Sequence, residues 1–142
     1  MKVFKHASAI WNGTVPAGTG SMKLGRVGEV LPFSLKSRVE DVPMTNPEEL
    51  IGAAHAGCFS MALSSLIEEE GKVPGTVETS AKVTLEQRDD GFWISEINLI
   101  TRGSNQAMTN DEFVALAEKA KTTCPVSKLY SSATITLDAA LA

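Results

Sequence analysis

"NPEELIGAAHAGCFSMALSSLIEEEG", residues 46–71, is the stretch on which the fold turns. Asn46 can cap a helix whose first position is Pro47, and Glu48 and Glu49 sit where a helix N-terminus favours negative charge. Glu68 to Glu70 close the run, and Gly71 suits a left-handed C-terminal cap. From Leu50 to Ile67, eighteen residues pass without a formal charge, a length at which a membrane span has to be weighed. His55, Ser60, Ser64 and Ser65 lie inside it, its flanks are acidic rather than basic, and no Trp or Tyr marks its ends; those features speak against a span. The stretch therefore predicts a helix buried in a protein core. Gly52, Ala53, Ala54, Ala56 and Gly57 strip away side-chain bulk, so another backbone could come close.

The rest of the chain is organised around that helix. With 142 residues, a single domain over 1–142 is the expectation. Thirteen basic against seventeen acidic residues give a net charge of −4. No basic run or aromatic–basic interleaving is present, so neither nucleic acid nor a membrane is an expected partner. The opening residues MKVFKHASAIW lack an uninterrupted apolar segment, which makes a cytoplasmic location the expectation.

Residues 3–11 alternate loosely as a strand does, and 12–20 are turn-rich. Short strands are expected at 21–24 and 30–39, the second of them carrying Arg38. After the long helix, 76–87 and 92–102 form a hairpin around Asp90–Gly91, with Val77, Ala81, Val83 and Leu85 on one face and Trp93, Ile97 and Leu99 on one side. Thr109 and Glu112 spell a capping box. Phe113, Leu116, Ala117 and Ala120 then follow at helical spacing. Cys124–Pro125 breaks that helix and starts a further short turn through Tyr130, and 133–137 is a last strand. The order predicts an α+β fold.

The two cysteines, Cys58 and Cys124, are the candidate chemistry. In a reducing compartment a static disulfide between them is disfavoured, whereas a transient catalytic one is allowed. Inert buried thiols are the plain alternative. Cys58 lies in mid-helix among apolar neighbours, surroundings that raise a thiol pKa, so a nucleophilic role requires a nearby cation. His55, one turn earlier, and Arg38 are the candidates. Cys124 precedes Pro125 at a helix start, where exposed N–H groups could act on its sulfur. His55, Cys58 and Cys124 could instead be three zinc ligands, but no fourth ligand or paired spacing accompanies them. No phosphate-binding glycine loop, nucleophile elbow or dinucleotide fingerprint occurs. His55 also has a bland reading, a hydrogen-bonded core or interface histidine.

"NPEELIGAAHAGCFSMAL" together with "CPVS" at 124–127 resembles the OsmC/Ohr family of organic hydroperoxide reductases, and in particular its OsmC branch, where His precedes the cysteine by three. "AIWNG" at 9–13 and "SRVE" at 37–40 are similar to the family's opening strand and its arginine-bearing segment. The resemblance covers nearly the whole chain and is weakest at 14–32 and 138–142. It implies curved antiparallel sheets around two long central helices in an intertwined homodimer. It further implies that Cys58 is the peroxidatic thiol and Cys124 the resolving one, and that Arg38 stabilises the thiolate while Glu48 holds that arginine. The substrates would be organic hydroperoxides. No cofactor is implied beyond a dithiol reductant, of the dihydrolipoyl type.

Spacing adds an independent point. Ten residues separate Glu48 from Cys58, about 15 Å along a helix axis at 1.5 Å per residue. One glutamate side chain does not cover that, so a shared site needs a bridging arginine or a second subunit. Two other functions stand against the peroxidase. One is a non-catalytic stress-related module that binds a small apolar ligand at the dimer interface, for which Cys124 near Cys58 is not required. The other is a cysteine acyl transferase, which calls for an oriented His base and an oxyanion site.

Overall fold

The computed structural model describes residues 1–26 and 28–142. The chain forms two compact units, Met1–Leu50 and Ile51–Ala142.

In the first unit, strands β1 (Ala7–Asn12), β2 (Thr19–Leu24) and β3 (Val30–Phe33) form an antiparallel sheet in the order β1-β2-β3. Gly20 pairs with Trp11 on one side and Phe33 on the other. A Cβ at Gly20 would lie 2.5 Å from the Phe33 ring and 2.7 Å from the Trp11 ring. Only a residue without a side chain lets the two aromatics lean together over β2, with ring centroids 5.4 Å apart.

Arg38 is not on a strand. The expected 30–39 strand ends at Phe33, and Leu35–Val39 is a short helix, α1. The reason is local: the Ser34 hydroxyl accepts from the Ser37 N–H, and the Ser37 hydroxyl accepts from the Ser34 N–H. This reciprocal cap satisfies donors that a strand would have left to a neighbouring chain.

The helix α2 (Pro47–Glu69) opens in the first unit and runs on into the second. The Asn46 side chain accepts from the Glu49 N–H at 2.8 Å, and Gly71 has φ of 72°, as the start and stop signals require. Among the described residues α2 is the one helix whose length and composition would allow it to cross a membrane. Its Phe59, Leu63 and Ile67, spaced one turn apart, are instead fully buried in a protein core.

The second unit continues with β4 (Thr76–Arg88), β5 (Gly91–Ser104), α3 (Asn110–Thr123), α4 (Pro125–Leu129) and β6 (Thr134–Leu141). Strands β4 and β5 are antiparallel, while β6 lies parallel to β5. That pairing needs a crossover, which α3 and α4 supply. The core joins Phe59, Leu63 and Ile67 of α2 to Ile97 and Leu99 of β5 and to Phe113, Ala117 and Ala120 of α3. A Cβ on Gly52 would come within 3.2 Å of Val83, so glycine lets α2 settle close to β4. Trp93 departs from the expected alternation. The register shifts between Thr84 and Leu85, leaving Ser95 without a cross-strand partner. This extra residue reverses the parity of β5, so Ile94 takes the core side and Trp93 is 45% exposed. The result is a mixed α+β fold with two three-stranded sheets.

Candidate functional site

In the second unit the two cysteines meet. Cys58, on α2, and Cys124, between α3 and α4, have Sγ atoms 3.0 Å apart, with both thiols free. Each is placed by a different device. Cys58 sits one residue before Phe59, whose burial fixes the rotation of α2. Cys124 is held from both sides: its N–H donates to the Ala120 carbonyl of α3, and its carbonyl accepts from the Lys128 N–H of α4. Pro125 then begins α4, its missing N–H harmless at a first helical position.

Burial pushes the Cys58 thiol up from its ordinary pKa. The hydrogen bond from Cys124 acts in the same direction, with a smaller push from the charge of that second thiol, while the Val126 backbone N–H at the sulfur pulls it down. The amide of the Pro-Val step thus acts on Cys58. Cys124 is fully buried, whereas Cys58 is partly exposed.

His55, one turn before Cys58, is completely buried. Its Nε2 lies 2.7 Å from Ser127 Oγ, and its ring meets Tyr130 edge-on with centroids 5.5 Å apart. Burial lowers its pKa, which keeps the imidazole neutral. Among the described residues no three His, Cys, Asp or Glu side chains converge on a point where a metal ion could sit. Sequence reasoning did not single out Ser127 or the Val126 amide. Both lie inside the Cys-Pro-Val-Ser run, one turn or less past Cys124, which is the signal that could have drawn attention to them.

In the first unit Arg38 and Glu48 meet. Arg38 Nη2 donates to Glu48 Oε1 at 2.6 Å, and Nε reaches both carboxylate oxygens at 3.1 and 3.3 Å. Glu48 is buried while the arginine side chain keeps 38% of its exposure. The planar fork is therefore fixed on one edge. Arg38 also borders a cavity of about 250 Å³ lined by Trp11, Val15, Phe33, Ser34 and Leu35. Its wall is apolar apart from that guanidinium and the serine. Phe59 is packed in the core of the second unit, and Met61 is 74% exposed.

Residues 40–138 match the family described as OsmC-like protein. The chain is 40% identical to a protein named peroxiredoxin OsmC from Escherichia coli K12, over 97% of this chain and 96% of that one. It is 35% identical over 61% of its length to the organic hydroperoxide resistance protein OhrA of Bacillus subtilis, covering 60% of that protein. Among solved structures, an organic hydroperoxide resistance protein OsmC from Legionella pneumophila superposes with a TM-score of 0.76 at 22% identity, covering 98% of this chain and 99% of that one. One from Elizabethkingia anophelis superposes with a TM-score of 0.76 at 24% identity over the whole of both chains. At those identities the solved structures speak to the fold alone.

Proposed function

This chain belongs to the OsmC-like protein family, and on that premise we propose that it is a peroxidase that reduces organic hydroperoxides to alcohols through Cys58 and Cys124, with residues 1–142 acting as one domain. The observation that carries the mechanism is the 3.0 Å separation of the two sulfurs. A disulfide needs about 2.05 Å, so closure requires a movement of only about 1 Å.

Cys58 as thiolate attacks the terminal oxygen of the hydroperoxide. The O–O bond breaks, the alkoxide leaves as an alcohol on taking a proton, and the sulfur is oxidised to a sulfenic acid. The Cys124 thiol then attacks the Cys58 sulfur. The S–O bond breaks, the hydroxyl departs with the Cys124 proton as water, and the disulfide forms. An external dithiol, of the dihydrolipoyl type, returns both cysteines to thiols and becomes a disulfide itself.

Burial and Cys124 outweigh the Val126 N–H and leave the Cys58 pKa raised, so ionising the thiol calls for a cation. Arg38 is the residue we assign to this, with Glu48 holding its guanidinium. Arginine suits the task because it stays charged when desolvated. The apolar cavity beside Arg38 supports an organic substrate over hydrogen peroxide: the alkyl or aryl group packs against Trp11 and Phe33 while the peroxide faces the guanidinium.

We further propose a cytoplasmic homodimer. Ala53, Ala54, Gly57 and Met61 form an exposed stripe along α2 without a charged residue, and nothing lies within 4 Å of where a Gly57 Cβ would be. A second copy of the same helix is the occupant that fits a surface of small residues.

Intact mass of the reduced protein before and after one equivalent of cumene hydroperoxide tests the chemistry. Loss of two hydrogens, with cumyl alcohol released, is the expected result. Unchanged mass and unconsumed peroxide would instead favour a module that only binds an apolar ligand.

A further inference from the structure

We propose that His55 and Ser127 are positioning residues that hold Cys124 within reach of the Cys58 sulfenic acid, a role that rests on the peroxidase reading above. His55 lies one turn before Cys58 on α2, and Ser127 lies one turn after Cys124 on α4. Their side chains are joined at 2.7 Å, in a place where the histidine is fully buried and the serine is 5% exposed. The bond therefore ties together the two segments that carry the sulfurs, a single helical turn from each.

The surroundings show why such a tie matters. The helix α4 has five residues and no side-chain cap on its N-terminus, so its own hold on Cys124 is the one backbone bond from the Lys128 N–H. On the other side, α3 presses on the core through Phe113, Ala117 and Ala120, an apolar contact that resists separation but is weakly directional. The imidazole–hydroxyl bond supplies direction. When Cys58 gains an oxygen the added atom needs room, and α4 can recede from α2 unless something fixes it. A bond anchored on α2 keeps α4 in place while the two side chains rotate through the last ångström.

The ring has one assignment that costs least. His55 Nδ1 is buried without a partner. If Nδ1 carried the proton it would be an orphan donor, whereas as a lone pair it is an unfilled acceptor, the cheaper of the two. Nε2–H then donates to Ser127 Oγ, and the neutral imidazole orients α4 through that bond.

The experiment mixes the reduced full chain with one equivalent of cumene hydroperoxide, quenches at intervals with dimedone, and resolves thiol, sulfenic acid adduct and disulfide by intact mass. Peroxide consumption in Ser127→Ala and His55→Leu is expected to stay within about twofold of the parent protein. Conversion of sulfenic acid to disulfide is expected to slow roughly three- to tenfold, the range set by one buried neutral hydrogen bond. The double variant should be no slower than either single one, because both remove the same bond. His55→Gln, whose amide can still reach the serine, should recover at least half of the lost rate. Ser127→Ala keeps the test available if His55→Leu fails to fold. Variants that close the disulfide at the parent rate would overturn the proposal, as would a parallel loss of both steps that tracks a fall in Tm. A parent protein that consumes no peroxide would remove the peroxidase reading and this proposal together.

Discussion

Cys58 and Cys124 face different surroundings, and their variants should fail differently. Cys58 is partly open, while Cys124 has no exposed surface. Cys58→Ser is expected to abolish peroxide consumption. Cys124→Ser should reduce one equivalent and then accumulate a sulfenic acid, seen as a dimedone adduct by mass. Glu48→Gln keeps the shape at the Arg38 fork but removes the charge it pairs with at 2.6 Å. A guanidinium misplaced by an ångström should lower kcat/KM for cumene hydroperoxide by about ten- to a hundredfold, with little change in fold by circular dichroism. His55 makes a prediction about pH. Its pKa is lowered in the folded chain, so between that value and the unfolded one, about 6.5, the unfolded state binds more protons. Its contribution is thus at full strength above about 6.5 and is lost as pH falls through the folded pKa. Urea midpoints measured from pH 8 downward should decline below that point, and the His55→Gln variant should decline less. At this scale the sequence offered both cysteines as candidates, and it was the resemblance of their motifs that paired them in the proposed roles. No local spacing rule joins positions 58 and 124, and the Ser127 contact is a product of tertiary packing.

The elements were read well wherever their signals were local. Asn46–Pro47 and Gly71 bracket α2, Thr109 and Glu112 make both bonds of the capping box on α3, and the β4–β5 hairpin turns where Asp90–Gly91 indicates. Two misreadings have local causes as well. The α1 cap uses Ser37 in place of the acidic or amide residue that marks the usual box, so the chain looked extended through Arg38. The extra residue at Ser95 is silent in any alternation pattern, and every side chain beyond it changes face. The core end of β5 offers a test of packing. A Cβ on Gly103 would lie 2.5 Å from the fully buried Phe113 ring. Gly103→Ala is expected to destabilise the protein by about 1–3 kcal/mol through overpacking, read as a lower urea midpoint with an unchanged slope.

For the molecule as a whole, the unpaired apolar stripe of α2 is the feature that a lone chain leaves unexplained. Gly57→Glu would set a charge in the middle of that stripe, where the isolated chain has open space. If two copies pack there, sedimentation velocity should show a dimer for the parent protein and a monomer for the variant. If the variant sediments as the parent does, the stripe is not the contact. The sequence suggested such a surface through its small residues. The nearness of the two sulfurs also bears on how long each molecule survives. A sulfenic acid left waiting can meet a second peroxide and become a sulfinic acid, which a dithiol does not reverse. In the proposed cycle, with Cys124 sealed from solvent, that hazard falls on a single atom, and a partner already 3.0 Å away would shorten the exposure. Proximity would then be a safeguard for the catalyst as well as a route to its product.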